Sequence, residues 1–331
     1  MARHQSTLVN WSQYLLARLA VMGLTACDLE ANLRHAKAIG GAVYRLDRRH
    51  RQRTVEHLRI AFPGSSPQEL ERLARASFEH LLQLAVEVCH APRLIHRDSW
   101  SKRLKLTNLA PATELFNSEK SAILITGHLG NWEVLGYLLG VIGLRLHAIF
   151  RPLDNPLISD WLLGIRQRRG LQLITKWGNS QRMRDVLDGG GILGFVADQN
   201  AGDKGIFVPF FGRLASTYKS IGLLAMAQNV PIVCGYARRI NQSFQYEIAV
   251  ADIIYPDDWQ LQPDPLYYIT ARYMRAIELM ISECPQQYLW MHRRWKSRPP
   301  HERSGAAMPA RLRKNIEQLP WMDQATLARI L

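Results

Sequence analysis

The segment 126–133, with the sequence TGHLGNWE, places a histidine and a carboxylate at a spacing that suits acid–base chemistry. His128 follows a short apolar run, and Glu133 lies five residues further on. A carboxylate there can accept one imidazole N–H, which leaves the other ring nitrogen to take a proton from a hydroxyl group. The segment holds no serine or cysteine that could act as a nucleophile, so we expect direct attack by a substrate hydroxyl. A loop histidine beside an unrelated glutamate explains this pair equally well.

Three further polar residues follow apolar runs and are predicted to lie at the same edge of a sheet. Arg151 follows the run AIF, and Asp198 and Gln199 follow GILGFVA. Open α/β sheets bind ligands at the carboxyl ends of their strands. The planar guanidinium of Arg151 suits a phosphate, although a surface ion pair is the alternative. Asp198 is a candidate to support His128 in place of Glu133 or, with Gln199, to bind substrate; a helix cap or loop salt bridge is the alternative.

The sequence VPFFG at residues 208–212 is predicted to form an exposed aromatic loop. Phe210 in this loop is a candidate to line a groove for a hydrocarbon chain, because each buried methylene contributes about 0.8 kcal/mol. Core packing is the alternative for Phe210. Thr217 is predicted to cap the next helix or to contact substrate.

The strands and helices that must position these residues alternate along the chain. Short apolar runs predict strands at 122–126, 147–150, 171–175, 192–197, 231–236 and 244–251. Between and after them, helices are predicted at 131–143, 156–168, 180–188, 217–229 and 265–283. The alternation predicts an α/β domain with a mostly parallel central sheet flanked by helices. Residues 1–100 are predicted to form a helical N-terminal extension, with one helix beginning at Ser66 and running to about His90.

The predicted organisation is an N-terminal anchor at 1–30, one α/β domain at 31–300 and a basic C-terminal tail at 301–331. The tail is expected to contain a short helix at 321–330. Residues 8–27 are long enough to span a bilayer but contain Asn10, Gln13 and Arg18. An amphipathic helix in the membrane interface, or one that spans weakly, is therefore expected. An ordinary core helix and a lipoprotein cleavage site at Cys27 are the alternatives.

The chain has 331 residues, with 42 Lys and Arg against 28 Asp and Glu, and a net charge of +14. Such an excess predicts an anionic partner, which can be nucleic acid, an anionic membrane or an acidic or phosphorylated substrate. The basic run at 45–53 is either a solvated helix face or a patch beside the membrane. The segment WMHRRWK at 290–296 suits lipid headgroups or RNA equally well.

Several classes of protein are disfavoured by motifs that the sequence lacks. The four cysteines form no C-x-x-C pair and have no histidine at zinc-ligand spacing, so a structural zinc is not expected. The sequence has no G-x-S-x-G, Walker A or H-E-x-x-H motif, which disfavours a serine hydrolase, a P-loop enzyme and a zinc protease. The glycine pattern at 189–194 precedes a predicted strand, which is the wrong context for dinucleotide binding.

The segment TGHLGNWE resembles the H-x4-D/E motif of glycerolipid and lipid A acyltransferases. It is most similar to the late acyltransferases of lipid A biosynthesis, which transfer lauroyl or myristoyl chains. Other matching pieces occur in the expected order over roughly residues 30–300, and they are NLRHAKAIGGAVYRLDRRHRQRTVEHLRIAFPGSS, FRPLDNPLISDW, RQRRGLQLI, FVADQN, VPFFGRLAST and QYLWMHRRWKSRP.

The resemblance implies transfer of an acyl chain from a thioester to a lipid hydroxyl, with His128 as general base and Glu133 as its orienting partner. The implied donor is acyl-carrier protein or acyl-CoA, and the implied acceptor is an anionic glycolipid, most closely a lipid A precursor. Another glycolipid or a lysophospholipid is the alternative acceptor. The reaction would take place at the cytoplasmic face of the inner membrane. Backbone N–H groups of Gly130 and Asn131 are candidates for binding the oxyanion, and Asn131 also for binding substrate.

No metal or organic cofactor is expected for this chemistry. A basic nucleic-acid-binding protein is the non-enzymatic alternative. It would explain the charge but gives no reason for His128 and Glu133 in their setting, so nucleic acid is not expected as a partner.

Overall fold

The protein is described here by a computed structural model that covers residues 6–96, 98–118, 120–167, 171–175, 178–241 and 243–331. The helices are α1 (Thr7–Ala26), α2 (Leu29–Leu46), α3 (Arg48–Ala61), α4 (Pro67–Leu94), α5 (Ala110–Asn117), α6 (Trp132–Val141), α7 (Pro156–Gln167), α8 (Ser180–Asp188), α9 (Lys219–Gln228), α10 (Pro256–Gln260), α11 (Pro265–Glu283), α12 (Pro300–Ser304), α13 (Ala310–Glu317) and α14 (Gln324–Ile330). The strands are β1 (Leu104–Thr107), β2 (Ala122–Thr126), β3 (Leu146–Phe150), β4 (Gln172–Thr175), β5 (Ile192–Val196), β6 (Ile206–Phe210), β7 (Arg213–Thr217), β8 (Ile232–Arg239) and β9 (Tyr246–Ile254).

The central sheet has seven strands in the order β1-β9-β8-β2-β5-β3-β4. Its strand pairs are parallel except for β8 and β9, which are antiparallel. This arrangement confirms the predicted fold class, a mostly parallel sheet flanked by helices. The edge strand β1 was not predicted, because LKLT is only four residues long and is not a continuous apolar run.

The residues of each strand alternate between the two faces of the sheet, and each face has its own core. Ile123 and Ile125 of β2 belong to a cluster that includes residues of α9 and α11. Leu124, between them, belongs to the other cluster, which includes residues of α6. All five residues of β2 are buried, as expected for a central parallel strand covered on both faces.

The N-terminal extension is helical, as predicted, and α4 is its longest helix. The Ser66 side chain accepts a hydrogen bond from the Glu69 backbone N–H, and Pro67 occupies the first helical position. These features confirm the predicted helix start. The helix continues to Leu94, beyond the predicted end near His90.

The first helix, α1, contains no buried residue, so the alternative of an ordinary core helix is wrong. Its large apolar side chains that are exposed to solvent are Leu8, Val9, Trp11, Leu15, Leu16, Leu19 and Met22. Among the described residues, no helix combines the length and the apolar character needed to cross a membrane.

The C-terminal segment after residue 300 packs on the body of the protein. Ile316 and Leu319 are buried in the core that contains α11. The Arg329 guanidinium donates hydrogen bonds to the backbone carbonyls of Ile60 and Phe211. The short helix expected at 321–330 is present as α14.

The prediction of an exposed aromatic loop at 208–212 is wrong. These residues belong to an antiparallel hairpin formed by β6 and β7, and both Phe210 and Phe211 are buried. The Phe210 ring centroid lies 5.7 Å from that of Trp295, which is also buried. An apolar run such as VPFF is equally compatible with a core strand, and the partner that buries it comes from a distant part of the sequence.

Candidate active site

The register of the central sheet brings His128 and Asp198 together. Strands β2 and β5 are parallel neighbours, with Thr126 paired to Val196. His128 and Asp198 each lie two residues beyond this pair, at the carboxyl edge of the sheet. The Nδ1 atom of His128 lies 2.7 Å from Oδ1 of Asp198, and the His128 backbone N–H donates to Oδ2 at 3.0 Å. The carboxylate therefore fixes both the ring and the backbone of His128.

The other ring nitrogen of His128, Nε2, is directed away from Asp198. An ionised carboxylate can only accept hydrogen bonds, so in the neutral ring Nδ1 carries the proton and the lone pair of Nε2 can accept a proton or a hydrogen bond. The side-chain amide nitrogen of Gln199 lies 3.3 Å from Nε2. Trp132 packs edge-on against the His128 ring, with the ring centroids 4.9 Å apart, and His292 is stacked at 6.4 Å. This arrangement suits a general base.

The electrostatic surroundings favour a charged His128. Burial disfavours the imidazolium, but the charge and hydrogen bond of Asp198, followed by the charge of Glu133, outweigh burial and raise the pKa of His128. Burial of Asp198 is likewise outweighed by its bonds to His128, which hold the pKa of this carboxyl well below its usual range. His292 has no such bond, and burial lowers the pKa of His292 to about 4.

Glu133 makes no hydrogen bond to the His128 ring, so the predicted bond between them is corrected. Both carboxylate oxygens of Glu133 are bound by the guanidinium of Arg166 on α7, with Nε donating to Oε2 at 2.8 Å. The reason is geometric. Glu133 lies in the first turn of α6 and faces α7 across the groove, whereas β5 delivers Asp198 directly beside His128.

The backbone N–H groups of Gly130 and Asn131 are not available to an oxyanion, so that prediction is also corrected. Gly130 N–H donates to the carbonyl of Gln287 at 3.0 Å, and Asn131 N–H donates to the carbonyl of Ala237 at 2.8 Å. Gly130 has φ +57°, and a Cβ there would lie 2.0 Å from the Ala237 oxygen. Only glycine fits this close approach of the loop to β8.

The Asn131 side chain is not placed to bind substrate either, because it is fully buried. The Oδ1 atom caps α6 by accepting from Val134 N–H at 3.0 Å, and Nδ2 donates to Glu87 at 2.8 Å. The capping role satisfies an N–H that the helix itself leaves without a partner. Its predicted role in substrate binding is therefore replaced by a structural one.

A buried polar cluster lies beneath the loop 128–131 and consists of His80, Gln83, Glu87 and Arg239. The Arg239 guanidinium is bonded to Glu87, donates to Gln83 at 2.6 Å and lies 3.1 Å from Nδ1 of His80. Nε2 of His80 lies 2.9 Å from the Gly130 carbonyl oxygen. Burial, reinforced by the charge of Arg239, lowers the pKa of His80 to about 3. This neutral histidine supports the loop from below.

A groove of about 920 Å³ opens beside His128 at the carboxyl edge of the sheet. Its polar lining includes Gln199, Glu133, Arg166 and Arg151, and Arg151 directly follows β3. The Arg151 side chain is 70% exposed, with a guanidinium nitrogen 3.9 Å from Asp154. The apolar lining includes Trp132, Gly136, Ala148, Ile149, Phe150, Leu171, Leu173, Met183, Phe195, Val196, Ala197, Ile221, Leu223, Leu224 and Ala227.

Phe210 and Thr217 are not part of the described groove lining, which corrects both predictions. Each contacts the buried Arg294, whose guanidinium lies 5.2 Å from the Phe210 ring and donates to the Thr217 hydroxyl at 2.7 Å. Thr217 ends β7, and the cap position of α9 is Tyr218. Trp290 and Trp295 are buried as well, so the segment 290–296 contributes to the core more than to a surface.

Sequence reasoning missed Arg166, His292 and the buried cluster. His80, Gln83 and Glu87 are spaced three and four residues apart, which places them on one face of α4. That face also carries the buried apolar residues Leu73 and Leu84. Polar residues on the apolar face of a helix were therefore a usable indication of a buried network. Nothing comparable distinguishes Arg166 from the other arginines around it.

The chain is similar to known proteins over most of its length. The family described as bacterial lipid A biosynthesis acyltransferase matches residues 2–297. The lipid A biosynthesis lauroyltransferase of Escherichia coli (strain K12) is 25% identical over 79% of this chain and 84% of its own length. The palmitoleoyltransferase of the same strain is 27% identical over 75% and 79% of the two chains. The myristoyltransferase of that strain is 22% identical over 80% of each.

Proposed function

Since the chain belongs to the bacterial lipid A biosynthesis acyltransferase family and is thus an acyltransferase, we propose that it acylates a hydroxyl group of a lipid A precursor. The acyl donor is a thioester, for which acyl-carrier protein is our choice. The observation that carries this proposal is the His128–Asp198 pair beside a largely apolar groove. A hydroxyl bound beside Nε2 and a hydrocarbon chain bound in the groove are the two requirements of the reaction.

In the proposed mechanism, Nε2 of His128 removes the proton of the acceptor hydroxyl as its oxygen attacks the thioester carbonyl. The negative charge that develops on the carbonyl oxygen collapses to expel the thiolate, which takes the proton from the imidazolium. Asp198 holds the ring in the required tautomer and stabilises its positive charge. Asp198 thus takes the orienting role that the sequence suggested for Glu133.

Gln199 is our candidate for the oxyanion donor, in place of the Gly130 and Asn131 backbone. Its amide nitrogen lies 3.3 Å from Nε2 of His128, close to where the carbonyl carbon must be attacked. A side-chain amide can supply two N–H donors to a developing negative charge.

The positively charged side chains at the groove suit anionic reactants. Arg151, Arg166 and Arg184 line the groove, and they come from three different segments around it. A guanidinium binds a phosphate through two parallel hydrogen bonds. Phosphates on the acceptor lipid and acidic side chains of acyl-carrier protein are therefore suitable partners for this side of the molecule.

Association with the cytoplasmic face of the inner membrane is proposed from α1. This helix exposes seven large apolar side chains and has no buried residue. An exposed apolar helix face of this kind is stabilised by insertion into the headgroup region of a bilayer. The basic run at 45–53 adds attraction to anionic lipids.

In the test, the purified protein is incubated in detergent or with anionic vesicles. Acyl-carrier protein thioesters are the donor in one set of reactions, and acyl-CoA is the donor in a parallel set. The acceptors are a lipid A precursor and a lysophospholipid, and the products are identified by mass spectrometry. We expect the lipid A precursor to gain one acyl chain with the carrier-protein donor. Acylation of the lysophospholipid alone would refute the proposed acceptor, and turnover with acyl-CoA alone would refute the proposed donor.

A further inference from the structure

The groove beside His128 draws its apolar walls from both faces of the central sheet. Ala148, Phe150, Leu171 and Leu173 belong to the core cluster on the α6 face. Ile149, Phe195, Ile221 and Leu224 belong to the cluster on the α9 and α11 face. The apolar lining residues therefore fall into two sets, one on each face of the sheet, which we treat as two lobes of the groove on either side of the strand ends.

We call these the α6 lobe and the α9 lobe. The α6 lobe is formed by Trp132, Gly136, Ala148, Phe150, Leu171 and Leu173. The α9 lobe is formed by Met183, Phe195, Ile221, Leu223, Leu224 and Ala227. An acyltransferase that joins a fatty acyl chain to an acceptor already carrying hydrocarbon has a use for two such lobes.

The two lobes differ in how far they open to the surface. Leu171 and Leu173 in the α6 lobe are 5% and 9% exposed. Leu223 in the α9 lobe is 46% exposed, and the nearby Met226 is 37% exposed. Although Ile221 in the α9 lobe is buried, Leu223 and Met226 face solvent, so we expect a chain there to continue beyond the protein, whereas a chain in the α6 lobe would meet the buried Leu171 and Leu173. Only a lobe that ends inside the protein can discriminate chains by length.

Gly136 lies on the wall of the α6 lobe at a fixed distance from the reacting histidine. It follows Trp132 by four residues on α6, so the two lie on the same helix face about 6 Å apart along the axis. The Trp132 ring contacts the His128 ring. A Cβ built on Gly136 would meet the Leu171 side chain at 3.5 Å, an ordinary contact distance, and no closer atom among the described residues.

We propose that the α6 lobe holds the acyl chain that is transferred and that the missing side chain of Gly136 sets how long this chain can be. The inference rests on the proposed function and names the residue that determines its donor specificity. Glycine is unfavourable in a helix interior. The fold does not require it at position 136, because the surrounding protein leaves room for a Cβ. The space left by Gly136 is therefore available to substrate.

The test compares Gly136→Ala with the unmodified protein in competition among saturated acyl-carrier protein thioesters that differ in steps of two carbons. One methylene more or less in an apolar pocket changes kcat/KM by about tenfold or more. We expect Gly136→Ala to move the preference to a shorter chain, with kcat/KM for the originally preferred chain falling about tenfold relative to the shorter one. Leu171→Ala, which enlarges the same lobe, should move the preference to longer chains.

Gly164→Ala on α7 is the matched control. It makes the same change in a helix, and a Cβ on Gly164 meets no atom within 4 Å among the described residues. Both glycine variants should raise Tm, but only Gly136→Ala should change the chain-length profile. An active Gly136→Ala protein with an unchanged chain-length profile would overturn the inference. A profile that changes in Ala227→Leu, in the α9 lobe, but not in Gly136→Ala would overturn it as well. Failure of the unmodified protein to acylate any acceptor would refute the proposed function instead.

Discussion

Two histidines on opposite sides of one loop show how a partner's charge decides what an imidazole can do. His80 lies below Gly130 with Arg239, and His128 lies above, bonded to Asp198. Both rings are strongly buried, yet the pKa of His80 is lowered to about 3 while that of His128 is raised. Burial acts in the same direction on both, so the difference comes from the neighbouring guanidinium in one case and carboxylate in the other.

The hydrogen bonds of the two rings lead to the same distinction. Arg239 can only donate, so Nδ1 of His80 accepts, and Nε2–H donates to the Gly130 carbonyl. Both nitrogens of His80 are occupied in a neutral ring, which makes it a support for the loop. His128 has one nitrogen held by Asp198 and the other beside the groove, which suits proton transfer.

The largest effect is expected from His128→Ala, which removes the proposed base. General base catalysis contributes about 10²–10⁴-fold, so acyl transfer should fall by that factor. The buried Asp198 loses a hydrogen bond, so stability should decrease, but the His128 side chain lies at the groove and the protein should still fold. Turnover is measured by mass spectrometry and folding by circular dichroism. A variant that keeps more than a tenth of the activity would remove His128 from the mechanism.

The second-largest effect is expected from Glu87→Ala, in the buried polar cluster beneath the loop 128–131. Glu87→Ala leaves the buried Arg239 without its carboxylate, and breaking a buried pair in this way costs about 3–5 kcal/mol. Urea unfolding measures the loss. Glu317→Ala is the control, since its pair with Arg313 is exposed on both sides and should contribute less than about 1 kcal/mol. Equal losses in the two variants would mean that the cluster does not stabilise the loop.

The third effect separates the two carboxylates near His128. A base must be neutral, so activity falls as the pH drops through the pKa of His128. Asp198→Asn removes the larger of the two charge effects that raise this pKa, and Glu133→Gln removes the smaller. The acidic limb of the pH–rate profile should therefore move to lower pH in both variants, and further in Asp198→Asn. Loss of the orienting bond should also lower kcat of Asp198→Asn by about 10²-fold, which is about 2.7 kcal/mol. A larger shift for Glu133→Gln would contradict the observed pairing.

The fold was predictable because its elements have local patterns. The bounds of β2 and of the helices α8 and α11 agree with the predicted 122–126, 180–188 and 265–283. The positions of His128, Arg151 and Asp198 at the carboxyl edge of the sheet also followed from sequence, since each comes after an apolar run. Local patterns are sufficient for both conclusions, because strand ends are visible in the order of residue types alone.

The partners within the site depend on contacts between distant segments, which a single sequence does not show. Whether Asp198 or Glu133 supports His128 depends on β5 being the neighbour of β2, which chain order does not reveal. The N–H groups of Gly130 and Asn131 bond to residues more than a hundred positions away. Phe210 is buried by Trp295 for the same reason. Such pairings are set by the three-dimensional packing and not by local propensity.

The smallest effect is expected in the pH dependence of stability, where the two histidines should act with opposite sign. The pKa of His80 is about 3 when folded and ordinary when unfolded, so acidification below about pH 6.5 protonates the unfolded chain and reduces stability. Between pH 7 and pH 5 this linkage lowers the free energy of unfolding by about 2 kcal/mol. The free energy of unfolding of His80→Gln should therefore fall by about 2 kcal/mol less over the same range. The raised pKa of His128 contributes stability that is present at low pH and lost as the pH rises. His128→Gln should therefore lose more stability than the unmodified protein between the same two pH values. Urea unfolding at both pH values measures each difference, and a change of the same sign in both variants would contradict the contrast between the two rings.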